Sequence, residues 1–103
     1  ISSVHGKRPT DFDPVYAMTK GGMHMLMREA AIEFAKYGVR VNCVAPGPVL
    51  TRPGMAAMKT PLGRAANPEE IVDMVLYLAC DRSAFVTGST ILMDGGRHLM
   101  TNE

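Results

Sequence analysis

Tyr16 and Lys20 stand four residues apart in Tyr16-Ala17-Met18-Thr19-Lys20, and Ser3 lies thirteen positions before the tyrosine. On a helix, residues at that spacing share a face, with Cβ atoms about 5–6 Å apart. An ammonium beside a phenol favours the phenolate and lowers a pKa that is ordinarily near ~10. Moving a phenol from ~10 to ~7 corresponds to about 4 kcal/mol of differential stabilisation, part of which a neighbouring lysine supplies. A phenol tuned in this way gives a proton to an alkoxide or takes one from an alcohol. The Ser3 hydroxyl could hold the same substrate oxygen. Taken singly, each residue also suits a plainer role: a packed ring with a wet hydroxyl, a solvated helix charge, a loop hydroxyl capping backbone. The elements around them decide.

The residues from Gly6 to Pro14 read as loop, rich in Gly, Pro and Asp. A long helix is predicted from Pro14 to about Tyr37, with Asp13 as N-cap, proline in its first turn and Gly38 at its C-terminal end. Met18, Met23, Met25, Leu26, Met27, Ala30, Ala31, Ile32, Phe34 and Ala35 cover most of its circumference. A helix apolar nearly all round is buried on two sides, one against a sheet. The other side asks for a partner helix from another subunit or for cover from chain upstream of Ile1. Val39 to Val44 is a β-branched strand running into Ala45-Pro46-Gly47-Pro48. Arg52 to Ala66 reads as irregular, with Met55 to Met58 able to form a brief lid helix. Asn67-Pro68-Glu69-Glu70 starts a second helix with a cap, a proline and acids at the positive dipole end. Its predicted buried stripe is Ile71, Val72, Val75, Leu76, Leu78 and Ala79. Ser89 to Met93 is a last strand, closed by Asp94-Gly95-Gly96.

Ile1-Ser2-Ser3 reads as the end of a further strand, and the chain opens without a methionine, so an upstream part is expected. The order strand end, helix, strand, helix, strand predicts an α/β fold with a parallel sheet. In such sheets ligands bind beyond the carboxyl ends of the strands. Ser3, the Tyr16/Lys20 turn and the Pro46 to Thr51 segment all fall at that rim.

Composition narrows the function. The chain has 103 residues, enough for one small domain, with 11 Lys plus Arg against 10 Asp plus Glu. That balance gives no electrostatic grip on nucleic acid or an anionic membrane, and there is no apolar run of membrane-spanning length. Three tyrosines, three phenylalanines and no tryptophan leave little for a base-stacking surface. Cys43 and Cys80, far apart in sequence and in apolar contexts, read as reduced buried thiols of a cytoplasmic protein. His5, His24 and His98 form no ligand constellation and read as structural or exposed, so no metal site is expected.

The ordered set of motifs resembles the C-terminal portion of the short-chain dehydrogenase/reductase family, single-domain Rossmann-type oxidoreductases. Tyr16 and Lys20 match the family's Tyr-x-x-x-Lys, and Ser3 falls at the spacing of its active-site serine. The run Gly38 to Gly47 is similar to the family's sixth strand and Pro-Gly turn. Pro61-Leu62-Gly63-Arg64, Asn67-Pro68-Glu69-Glu70 and Val86-Thr87-Gly88 through Asp94-Gly95-Gly96 complete the pattern.

The resemblance implies the C-terminal part of a doubly wound parallel sheet over residues 1–103. It further implies an enzyme that exchanges hydride between NAD or NADP and a carbonyl or secondary alcohol: a sugar, a small alcohol or a 3-oxoacyl group. In it Tyr16 is the acid/base, Lys20 tunes the tyrosine and holds the ribose, and Ser3 holds the substrate oxygen. Pro46, Gly47, Val49 and Thr51 are implied to meet the cofactor, together with Tyr16 and Lys20. A homodimer or homotetramer is expected. The glycine-rich cofactor fingerprint, the residue that chooses between NAD and NADP, and the relay asparagine all belong upstream. The alternative is an inactive fragment that serves only as a helix-mediated interaction piece.

Overall fold

The computed structural model describes residues 1–3, 6, 13–51, 53–55 and 58–100. Most of the loop expected between Gly6 and Pro14, His5, and the middle of the expected lid at Ala56 and Ala57 lie outside the described residues. Helix α1 spans Pro14–Ala35, strand β1 Cys43–Pro46, helix α2 Pro68–Ala79 and strand β2 Thr90–Met93. β1 and β2 are parallel, with Cys43 opposite Thr90 and Pro46 opposite Met93.

Both helix starts form as their residues dictate. The Asp13 carboxylate accepts the Tyr16 N–H at 3.2 Å, with Pro14 in the first turn. Glu70 reaches back to the Asn67 N–H at 3.0 Å, closing the start of α2. Gly38, at φ 72, takes the left-handed conformation that ends the α1 turn, and its N–H meets the Ala35 carbonyl at 2.9 Å.

β1 begins later than its β-branched residues suggest. Val41 and Asn42 are tied to the segment before β2 outside the regular ladder, the Val41 carbonyl accepting the Gly88 N–H at 2.8 Å. The Val41 N–H donates to Thr87 Oγ1 at 3.1 Å. The Asn42 amide donates to the Val86 carbonyl and accepts from the Ser89 N–H, both at 3.0 Å. Regular pairing starts only once these contacts have aligned the two chains.

On the other edge of β1, the Ser2 N–H donates to the Val44 carbonyl at 2.6 Å. Cys43 and Gly47 direct their N–H groups at β2, so Val44, one step out of phase with both, directs its polar groups the opposite way. The Ile1 to Ser3 segment therefore runs beside β1 as a third line of the layer. Neighbouring side chains of an extended segment point to opposite faces. Ser2 meets His24 of α1, while Ile1 joins Val72, Val75 and Leu76 of α2 around one cleft. The two helices thus cover opposite faces, as a doubly wound sheet requires. Because both crossovers step the same way across the layer, they must be of opposite hand, against the usual right-handed rule.

Among the described residues the buried apolar core is Met27, Ala31, Cys43, Val44, Ala45, Ala65 and Ile71. Of the stripe expected to be buried on α2, Ile71 is buried and Leu78 half-buried, while Val72, Val75, Leu76 and Ala79 are exposed. On α1, Met18, Met25 and Ile32, seven residues apart on one face, are also exposed, at 68%, 53% and 75%. Each helix packs one side on the layer and leaves its second apolar side open.

Candidate active site

The line of α1 that faces the layer is Tyr16, Lys20, His24, Met27 and Ala31, spaced at the helical repeat. Its last three members are the buried residues of the helix. Ala31 lies against Gly88, whose added Cβ would stand 3.6 Å from that of Ala31. His24 is bonded to Ser2, level with Val44. From Ala31 to His24 the helix advances ~10 Å, and from Gly88 to Ile91, the partner of Val44, the strand advances ~10 Å. α1 consequently runs antiparallel to the strands. Lys20 lies ~6 Å further on and Tyr16 ~12 Å further on, which brings Lys20 level with Pro46 at the end of β1 and Tyr16 level with the turn after it. Three buried anchors in the lower half of the helix set its upper half at the carboxyl rim.

Tyr16 is 40% exposed, and the Lys20 ammonium sits 5.6 Å from the centre of its ring, within cation–π range. Among the described residues no carboxylate pairs with Lys20, so its ammonium keeps its capacity to donate. Ser3 is buried, and its carbonyl accepts the Gly6 N–H at 3.0 Å.

Pro46, Gly47, Val49 and Thr51 line a cleft of about 650 Å³ with Ile1, Met55 and the α2 residues Pro68, Ile71, Val72, Val75 and Leu76. The segment is held open from behind. Leu50 donates to the Ala66 carbonyl and Ala66 to the Pro48 carbonyl, both at 2.9 Å. Val49 therefore turns its own peptide groups away from Ala66, and its carbonyl accepts the Thr51 N–H at 2.7 Å in a tight turn. The cleft falls within the usual ligand range of ~300–1,000 Å³ and combines apolar walls with backbone polar groups. Ser3, Tyr16 and Lys20 do not line it. Tyr16 and Lys20 stand on the α1 side of the rim, the cleft residues stand toward α2, and Ser3 lies in the segment beside β1, so the seven candidate residues fall at one end of the layer. Among the described residues no group of three His, Cys, Asp or Glu side chains could hold a metal ion, and no helix is long and apolar enough to cross a membrane.

Two features were only partly legible in the sequence. His24, read as structural or exposed, is structural: it is buried and bonded across the fold, and its place two helical turns after Tyr16 on the same line was the signal for which alternative holds. Asp94, read as part of a closing turn, is buried and bonded to Gly96 N–H at 3.1 Å and to His98 through both its N–H and Nδ1 at 2.8 Å. Burial alone pushes the Asp94 carboxyl up, but the bonds from His98 and Gly96 outweigh it and hold the group below the usual carboxylate range.

Residues 1–98 match the family model described as enoyl-(acyl carrier protein) reductase. The chain is 37% identical over 96% of its length to an L-rhamnose 1-dehydrogenase (NAD(P)(+)) of Sphingomonas sp. (strain SKA58), covering 43% of that protein. It superposes on the acetoin dehydrogenase of Enterobacter cloacae with a TM-score of 0.90 and 29% identity, over 99% of this chain and 42% of that one. A 3-oxoacyl-[acyl-carrier protein] reductase of Brucella melitensis with bound NAD gives a TM-score of 0.87 and 35% identity, over 96% of this chain and 39% of that one. The chain thus spans well under half the length of these relatives.

Proposed function

The chain belongs to the short-chain dehydrogenase/reductase family, and from that premise we propose that it is the carboxyl-terminal, catalytic portion of a single-domain NAD(P)-dependent oxidoreductase. The observation that carries this reading is the α1 line ending in Lys20 and Tyr16 at the carboxyl rim, anchored through His24 to the segment that holds Ser3. A bound nicotinamide supplies or accepts the hydride at a carbonyl or secondary alcohol carbon.

The chain's own residues handle the oxygen of that substrate. Tyr16 donates its phenolic proton as a carbonyl is reduced and takes one back as an alcohol is oxidised. Ser3 donates a hydrogen bond to the same oxygen, where negative charge develops. Lys20 holds the ribose hydroxyls and favours the tyrosinate electrostatically. Pro46, Gly47, Val49 and Thr51 form the wall against which the nicotinamide end of the cofactor rests, a role supported by the apolar cleft with peptide groups along one edge. The substrate is a small carbonyl or alcohol, and the subunits associate as a homodimer or homotetramer.

The test uses the complete gene product with NADH, NADPH and three substrate classes: L-rhamnose, acetoin and an acetoacetyl thioester. Turnover with one class is expected, and Tyr16→Phe lowers it by about 10²–10⁴-fold while cofactor affinity stays within a few-fold. Retained turnover in Tyr16→Phe refutes the proton-transfer role. The exposed apolar lines of α1 and α2 favour a second reading, an inactive interaction piece. Tight NADH binding by the 103-residue chain alone would exclude that reading.

A further inference from the structure

We propose that His24 is a positioning residue for proton transfer: it clamps the segment carrying Ser3 to α1 and so sets the separation of the Ser3 hydroxyl from the Tyr16 phenol. The proposal rests on the reading of Tyr16 as the proton-transfer group. His24 is 3% exposed and its Nε2 is hydrogen-bonded to the Ser2 hydroxyl, itself 5% exposed, across the interval from one element to the next. Gly6 lies flat against the imidazole. A Cβ there would stand 2.5 Å from His24 Cε1 and 2.9 Å from each ring nitrogen, so only glycine fits. Gly6 in turn donates its N–H to the Ser3 carbonyl at 3.0 Å. Its own carbonyl lies 3.5 Å from the Cβ position of Gly21, the residue after Lys20.

Ser3 is thus bracketed. On one side Ser2 is held by the imidazole nitrogen; on the other Gly6 is held by the imidazole face. The same ring belongs to the line that presents Lys20 and Tyr16, one and two turns away. A leucine could fill the space, but only a polar side chain can hold the Ser2 hydroxyl at this depth, and burying an imidazole without such a bond is costly. The Ser2 N–H also fixes the segment to Val44 at 2.6 Å, so its remaining freedom is rotation about β1, toward or away from α1. The Ser2–His24 bond removes that freedom. Reaction geometry is sensitive to such shifts: a displacement of about 1 Å can cost roughly 10²-fold in rate.

The experiment uses the complete gene product with the substrate and cofactor that turn over in the three-class assay. His24→Leu and Ser2→Ala are each expected to lower kcat by about 10- to 100-fold, leaving cofactor affinity near the parent value, while Ser2→Ala also lowers the thermal midpoint because it strips the buried imidazole of its partner. The double variant is expected to lose no more than either single one. His24→Gln, which keeps a polar atom near the Nε2 position, restores kcat to within a few-fold. Independently of turnover, the 15N signals of the His24 ring in the cofactor-free protein should shift on Ser2→Ala.

Parent-like kcat in Ser2→Ala, losses that multiply in the double variant, or ring signals that ignore Ser2→Ala would overturn the proposal. Should His24→Leu fail to fold, Ser2→Ala and His24→Gln still decide it. Tyr16→Phe separates the two levels. If it is inactive while Ser2→Ala is fully active, only the His24 role fails; if it is active, the underlying site reading fails.

Discussion

Gly47 and Asp94 approach so closely that a Cβ on Gly47 would stand 2.6 Å from the Asp94 Cβ and 2.9 Å from its Cα. Real Cβ contacts do not reach such distances, so the turn after β1 and the turn after β2 are packed as one unit. The Gly47 N–H, bonded to the Met93 carbonyl at 3.1 Å, extends the ladder into this contact. The glycine is required here for its missing side chain. Gly47→Ala should therefore destabilise the fold by about 1–3 kcal/mol through overpacking, read by urea unfolding. It should also shift the Pro46 to Thr51 wall and weaken NADH binding, read by fluorescence titration.

Asp94 supports that turn from the other side through its bonds to Gly96 and His98. Because its carboxyl is held below the usual range in the fold, the stability it contributes is fully present above its unfolded value, near ~4, and is lost as pH falls through the folded value. Asp94→Asn should cost about 1–3 kcal/mol at neutral pH. In denaturant titrations the gap between parent and variant should close as the pH falls well below about 4. A gap independent of pH would show that the charge is not what matters.

Arg64 and Glu70 form a two-pronged pair at 2.6 and 2.9 Å on the surface at the start of α2. The Arg64 bonds, followed by the Asn67 N–H, bring the Glu70 carboxyl down to about 2. Its contribution is present above its unfolded value, near ~4.3, and disappears as pH falls toward about 2. Thermal melts of Glu70→Gln should sit below the parent at neutral pH and converge with it through that window. High salt should narrow the difference, since the pair is half-exposed.

Lys20 and Tyr16 should separate binding from chemistry in the complete protein. Lys20→Met removes the donor assigned to the cofactor ribose and should weaken NADH binding by about 10-fold, the worth of one charge-assisted hydrogen bond near ~1.4 kcal/mol. Tyr16→Phe should leave that affinity within a few-fold. Calorimetric titration of both variants measures the split, and equal losses would contradict the assignment.

The Met18, Met25 and Ile32 face of α1 is predicted to be where subunits meet. Ile32→Glu places a charge on the most exposed member of that line and should shift the complete protein toward monomer in light scattering, with the spectrum of the fold unchanged. A parent that is itself monomeric would refute the prediction outright.

Much of this molecule was legible in its residues. Asp13 and Pro14 start α1, Asn67 to Glu70 start α2, and Gly38 ends a helix, because caps and dipoles act within one turn and need no distant partner. The Tyr16/Lys20 face follows from helical geometry alone. Strand limits were less legible. Val39 and Val41 have strand-forming side chains, yet Thr87 takes the Val41 N–H and Val86 the Asn42 amide from across the fold, and β1 opens only at Cys43. Burial on α2 was misjudged at Val72, Val75 and Leu76, because an apolar stripe states a need for cover without stating what lies opposite.

The sequence by itself therefore determined the elements, their order, the local spacing of Tyr16 and Lys20, and the family pattern. Only the tertiary structure decided how far α1 projects past the strands, since that depends on where Ala31 meets Gly88 and where His24 meets Ser2. It likewise decided that Gly47 must lie on Asp94 and that Ile1 and Ser2 face different helices. These are contacts between residues remote in the chain. Their existence depends on how whole elements pack, and no local propensity encodes that.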